Sequence, residues 1–113
     1  MHELSIALSI LDLARKEATA HNAQRVTELE IEVGKLSGVD TEALSFVLES
    51  VVRETELENC RILIHPIDGR CHCNDCGNEY LIAELLQGCP LCGSCNKELI
   101  AGKELKLKSL LID

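Results

Sequence analysis

Apolar side chains recur at Leu4, Ala7, Leu8, Leu11, Ala14 and Ala18, with Ile6, Ile10 and Leu13 widening the stripe. This spacing of three and four predicts a helix from Leu4 to about Ala20 with one face buried. His21-Asn22 marks its stop, because asparagine tolerates the left-handed cap geometry. The period then falls to two. Glu28-Leu29-Glu30-Ile31-Glu32-Val33 alternates strictly, predicting a strand that ends at Gly34, with Leu29, Ile31 and Val33 inward and three glutamates on a wet face. Helical spacing returns at Leu44, Val47, Leu48, Val51 and Val52, behind Asp40 or Thr41 as the capping residue. A second strand is expected over Arg61 to His65, with Ile62 and Ile64 sharing a face, before Pro66 and the Asp68-Gly69 turn. Lys103 to Ile112 alternates again, with Leu105 and Leu107 inward. Its outward Lys106 and Lys108 are suited to pair with the Glu28, Glu30 and Glu32 row, so this segment is expected to return to the first sheet.

Between these strands, Gly69 to Gly102 has no long periodic pattern and holds six of the seven cysteines. A stretch of this size buries too little apolar surface to order itself and needs a staple. The expected fold is α+β: two helices on a small three-stranded sheet, with an inserted zinc-ribbon-like module. Residues 1–68 with 103–113 make the α+β domain, and residues 69–102 make the metal module.

Composition narrows the function. Tyr80 and Phe46 are the only aromatic residues and there is no Trp. The core must therefore be aliphatic, and the stacking platforms of single-stranded nucleic-acid binders are missing. The net charge of -8 repels phosphate backbones and anionic membranes and favours cations or basic partner surfaces, although it also serves plain solubility. No run approaches the roughly 18 consecutive apolar residues of a membrane helix. The opening Met-His-Glu has no basic secretory region either, so a cytoplasmic protein is expected. In that reducing compartment, cysteines in odd number point to metal ligation more than to disulfides.

Cys73-Asn74-Asp75-Cys76-Gly77 and Cys89-Pro90-Leu91-Cys92-Gly93 share one form, with twelve residues between Cys76 and Cys89. A two-residue spacer lets one tight turn present two thiolates to the same ion, and two such turns complete the tetrahedron of zinc. The glycine after each second cysteine permits the positive φ of a knuckle. Structural Zn(II) on Cys73, Cys76, Cys89 and Cys92 is the reading this pattern favours, ahead of an iron-sulfur cluster or redox dithiols. A filled four-thiolate site has no open position for catalysis. Cys71, His72 and Cys95 stand beside the knuckles but do not share their spacing and glycine, so they rank as bystanders, with ligand exchange the lesser alternative, and Cys60 is expected to be a small buried residue.

The sequence begins Met1-His2-Glu3. A free α-amine at Met1, with the amide and imidazole nitrogens of His2, can close adjoining five- and six-membered rings on one metal. The Glu3 amide or an outside ligand then completes a plane suited to Ni(II) or Cu(II), of which copper has the higher intrinsic affinity. The competing reading is an exposed histidine on a frayed terminus. His21, at a helix end, and His65, on a strand, read as structural.

Met1-His2-Glu3-Leu4-Ser5 opening an amphipathic helix, Glu30-Ile31-Glu32-Val33-Gly34-Lys35-Leu36-Ser37-Gly38-Val39, and the late Cys-x-x-Cys pairs together resemble the HypA/HybF family over essentially the whole chain. The resemblance implies a nickel metallochaperone for maturation of [NiFe] hydrogenase, or of urease in some bacteria. It implies Ni(II) as cargo at His2, with the Met1 amine and Glu3 contributing, Asp40 as a helper, and Zn(II) on the four knuckle cysteines. It further implies the maturation GTPase HypB and the hydrogenase large subunit as partners, with no nucleic acid and no membrane, and it leaves a homodimer open. Cys71 and Cys95 enlarge the thiol cluster beyond the family's ligand set. A zinc-ribbon adaptor is the binding-module rival, and it would need a basic face where residues 69–102 have two basic against four acidic side chains. A thiol redox protein is the enzymatic rival, but the sequence contains no paired acid/base, triad or phosphate loop, so no enzyme is expected.

Overall fold

The computed structural model describes residues 2–113. Its elements, in chain order, are α1 (Glu3–Ala20), β1 (Val26–Gly34), α2 (Thr41–Val51), β2 (Arg61–Ile67), β3 (Gly69–Cys73), β4 (Glu79–Ile82), β5 (Lys97–Ala101) and β6 (Leu105–Ile112). The strands form two three-stranded sheets, ordered β2-β1-β6 and β4-β3-β5. Two compact units result. One comprises the chain up to Glu32, Val39–His65 and Lys106–Asp113; the other comprises Val33–Gly38 and Pro66–Leu105.

In the first unit α1 packs against α2. The core takes Ala7, Ile10, Leu11, Ala14 and Ala18 from α1, Leu44 and Leu48 from α2, Leu29 and Ile31 from β1, and Leu57 from the loop before β2. Small alanines on α1 let neighbouring elements approach closely. The buried stripe is therefore rotated from the expected one: Leu4, Leu8 and Leu13 are 54%, 48% and 51% exposed. Asn22 takes a φ of 54° just after α1, as its stop signal predicts. Asp40 caps α2, its carboxylate accepting from the amides of Glu42 and Ala43 at 3.0 and 3.2 Å.

β1 buries Leu29, Ile31 and Val33 and turns its glutamates to the other face. There Lys106 on β6 lies 3.4 Å from Glu32, Ser109 donates to Glu30 at 2.6 Å, and His65 on β2 sits 3.2 Å from Glu30. The last segment thus returns to the first sheet. β2 runs through Pro66 to Ile67 and does not stop at His65, which is compatible with an outer position in the sheet.

The second unit holds a sheet that no long period announces. β3 pairs antiparallel with β4 and β5, setting Cys71 opposite Tyr80 and Leu99, and His72 opposite Glu79 and Glu98. Gly34 lies against this unit's backbone so closely that an added Cβ would meet the Gly102 carbonyl at 2.0 Å.

Candidate metal centre

The two knuckles are built alike. Cys73 opens the first at the end of β3, and the Gly77 amide donates to its carbonyl at 2.9 Å, while the Cys73 amide donates to Asn78 O at 2.8 Å. In the second, the Gly93 amide donates to Cys89 O at 2.8 Å and the Cys89 amide to Ser94 O at 2.9 Å. Both turns need the left-handed region at their glycine, with φ of 78° at Gly77 and 77° at Gly93. An added Cβ would meet nothing within 4 Å at either, so the demand there is conformational, not spatial.

The Sγ atoms of Cys73, Cys76, Cys89 and Cys92 all lie within 4.8 Å of one another. Contacts cross between knuckles, with Cys73 to Cys92 and Cys76 to Cys89 each at 3.6 Å. A tetrahedral zinc with Zn–S near ~2.3 Å has sulfur–sulfur edges of about 3.8 Å, so the group fits that ion closely. Cys73 and Cys89 are buried, Cys76 and Cys92 exposed.

Electrostatics agree with geometry. Burial opposes ionisation of Cys89, but the amides of Cys92 and Leu91, the Cys76 thiol and the Asn78 side chain outweigh it and bring the thiol down to about 6. At Cys92 the Ser94 amide favours the thiolate, yet contact with Cys73, burial and the neighbouring Cys76 and Cys89 push it up to about 12. Cys76 is raised too: the Asn78 amide favours its thiolate, but burial and the thiols of Cys73 and Cys89 prevail. Four sulfurs this close cannot all be anionic unaided, and a dication would remove that conflict.

A polar brace joins the knuckles from outside. Ser94 Oγ donates to Asp75, Asn96 Nδ2 donates to the same carboxylate at 3.4 Å, and Asn74 Nδ2 donates to Asn96 Oδ1 at 3.1 Å. Side chains between and after the cysteines thus fix the two turns relative to each other, a role that ligand spacing alone does not reveal. Of the remaining thiols, Cys71 is fully buried two residues before Cys73 on β3, and Cys95 is exposed with its sulfur 3.8 Å from Leu86 O. Neither joins the four-sulfur group. Cys60 is only partly buried, where a buried residue was expected, because it sits at the loop end before β2 and not in the helix–sheet core.

At the other candidate site, His2 is the N-cap of α1. It has extended backbone (φ -88°, ψ 108°) and an exposed side chain that makes no capping hydrogen bond. Its carbonyl accepts from the Ile6 amide at 3.2 Å. Glu3 is the first helical residue, where the backbone amide has no acceptor within the helix. Met1, the expected amine donor, lies outside the described residues. His21 is occupied with Glu17 O at 2.9 Å and His65 with Glu30.

The family model described as "Hydrogenase/urease nickel incorporation, metallochaperone, hypA" matches residues 1–112. The chain belongs to the HypA family. Hydrogenase maturation factor HypA of Parabacteroides distasonis is 44% identical over 112 residues, covering 99% of this chain and 97% of the relative. The HypA of Geobacter metallireducens is 35% identical over the full length of both. The solution structure of the Ni metallochaperone HypA from Helicobacter pylori aligns with a TM-score of 0.71 at 24% identity, over 99% of this chain and 97% of that one, which establishes the shared fold. As a HypA protein the chain belongs with the factors of hydrogenase maturation and nickel incorporation. No helix among the described residues is long and apolar enough to cross a membrane.

Proposed function

We propose that this HypA protein carries Ni(II) on its first residues and hands it on for maturation of a [NiFe] hydrogenase, with Zn(II) held as a structural ion by Cys73, Cys76, Cys89 and Cys92. The observation that carries the nickel assignment is His2 itself: an exposed imidazole at the head of α1, not engaged in capping, next to helix-start amides that have no intrahelical acceptor. The Met1 amine, the His2 amide and the His2 imidazole supply three nitrogens, and the Glu3 amide or a partner's ligand supplies the fourth, matching the planar preference of Ni(II). A chelate of this kind releases its cargo one ligand at a time, which a closed thiolate cage does not allow. Asp40 serves as the α2 cap, and that role accounts for it fully.

Nickel handling belongs to the α+β part, residues 1–68 with 103–113, and zinc to residues 69–102. The proposed partners are the maturation GTPase HypB as co-carrier and the hydrogenase large subunit as destination; urease is the alternative client, a homodimer is a compatible state, and the cytoplasm is the setting. The chain acts by ligand exchange and performs no catalysis.

Nickel titration of the untagged protein tests the assignment, against His2→Ala and against a form with residues added before Met1. The expected result is loss of tight binding in both. In the unaltered protein, affinity should also fall between about pH 7.5 and about pH 6, since every nitrogen must be deprotonated to ligate. Full binding by both altered forms would refute the N-terminal site.

A further inference from the structure

Between β4 and the second knuckle the chain turns at Glu84–Gln87, where the Gln87 amide donates to Glu84 O at 3.2 Å. The two central positions of this turn are leucines. Leu85 is 46% exposed, and Leu86, at 87%, is the most exposed large apolar side chain among the described residues. Central turn positions ordinarily take Gly, Pro, Asn, Asp or Ser. Here the polar groups of the loop point inward instead. Gln87 Oε1 accepts from the Ala83 amide at 3.0 Å and its Nε2 donates to Leu81 O at 3.2 Å. Lys97 Nζ donates to Gln87 O at 3.0 Å, and the Cys95 thiol donates to Leu86 O at 3.8 Å. A turn tied down on its inner side thus holds two adjacent leucines in water. An apolar pair fixed in this way gains its burial only against a partner, and its rigidity lowers the ordering cost of that contact.

We propose that the Leu85–Leu86 turn is a docking point for a partner protein that presents an apolar cleft rimmed by lysine and arginine. This deepens the proposed function and rests on its reading that the cargo is handed to another protein. Charge selects the occupant. From Glu79 to Asn96 the charged side chains, thiols aside, are Glu79 and Glu84, both acidic. Four thiolates around one dication would add two further negative charges at the knuckles that the loop connects. Lys97, the next cation along the chain, has its ammonium turned to Gln87 O. A second copy, with its own net charge of -8, and an anionic membrane would both meet like charge here, whereas a basic rim meets its complement.

The test measures binding of the zinc-loaded full-length protein to the purified maturation GTPase and to the purified hydrogenase large subunit, at low and at high salt. Leu86 buries almost nothing, so Leu86→Ser keeps the fold. It should raise the dissociation constant about tenfold for the protein that binds. Glu84→Lys should slow association at low salt, and that difference should shrink as salt screens the rim. Leu13→Gln, which alters an exposed leucine on α1, should change neither quantity. Nickel titration of Leu86→Ser should match wild type, which separates docking from metal binding. Binding of Leu86→Ser as tight as wild type, or association of Glu84→Lys as fast, overturns the proposal while the handover reading stands. A wild type that binds neither protein removes both. Self-association of wild type that Leu86→Ser abolishes would assign the turn to a second copy, and that also overturns the proposal.

Discussion

Glu30 shows how a single side chain on the sheet face is tuned. The Ser109 hydroxyl and then His65 hydrogen-bond its carboxylate, with Lys108 adding a favourable charge, and together they hold its carboxyl below the usual 4.5 despite some desolvation. A depressed folded-state value means that Glu30 stabilises the fold above the ordinary carboxyl range, and that this contribution vanishes as pH falls through the folded-state value. Urea midpoints measured from about pH 6 to about pH 3 should therefore drop more steeply below 4.5 for wild type than for Glu30→Gln. Parallel curves would show that the two partners contribute nothing. The residue scale was partly legible in the sequence: Asp40 as a cap, Asn22 as a stop and the four knuckle cysteines all follow from side-chain chemistry. Asn78 and the Asp75–Ser94–Asn96 brace do not, because their roles depend on how the two knuckle turns come together.

Among the elements, α1 and the second sheet mark where a linear reading runs short. Ten apolar residues surround more than half of α1, so periodicity alone admits several rotations of the buried stripe. The observed one is chosen by the alanines, Ala7, Ala14 and Ala18, which permit close packing. Ile10→Ala should consequently cost about 2–5 kcal/mol in chemical denaturation, whereas Leu13→Gln should lie within about 0.5 kcal/mol of wild type; comparable losses at both positions would contradict this rotation. β1, α2 and β6 were legible because their alternation or helical spacing is long. β3, β4 and β5 have only five, four and five residues. For β3 and β4 the signal was present in Gly69, Cys71 and Cys73, and in Tyr80 and Ile82, all buried at alternate positions. It emerges only when cysteine is counted as apolar as well as ligating.

Across the whole molecule, the proposed function assigns two metals of different coordination preference to two different donor sets. Sulfur is gathered on turns that two glycines and a polar brace make rigid, and that arrangement suits an ion meant to stay. The same proposal puts nickel on nitrogen donors at the first residues, an arrangement that suits an ion meant to leave. The extra thiols Cys71 and Cys95 stand outside the four-sulfur group, so they do not blur this division. X-ray absorption at both metal edges, on untagged protein loaded with one equivalent each of zinc and nickel, probes it most directly. Zinc should show four sulfur neighbours, and nickel a planar shell of nitrogen and oxygen that disappears in His2→Ala. Sulfur bound to nickel, or an unchanged nickel spectrum in His2→Ala, would contradict the account.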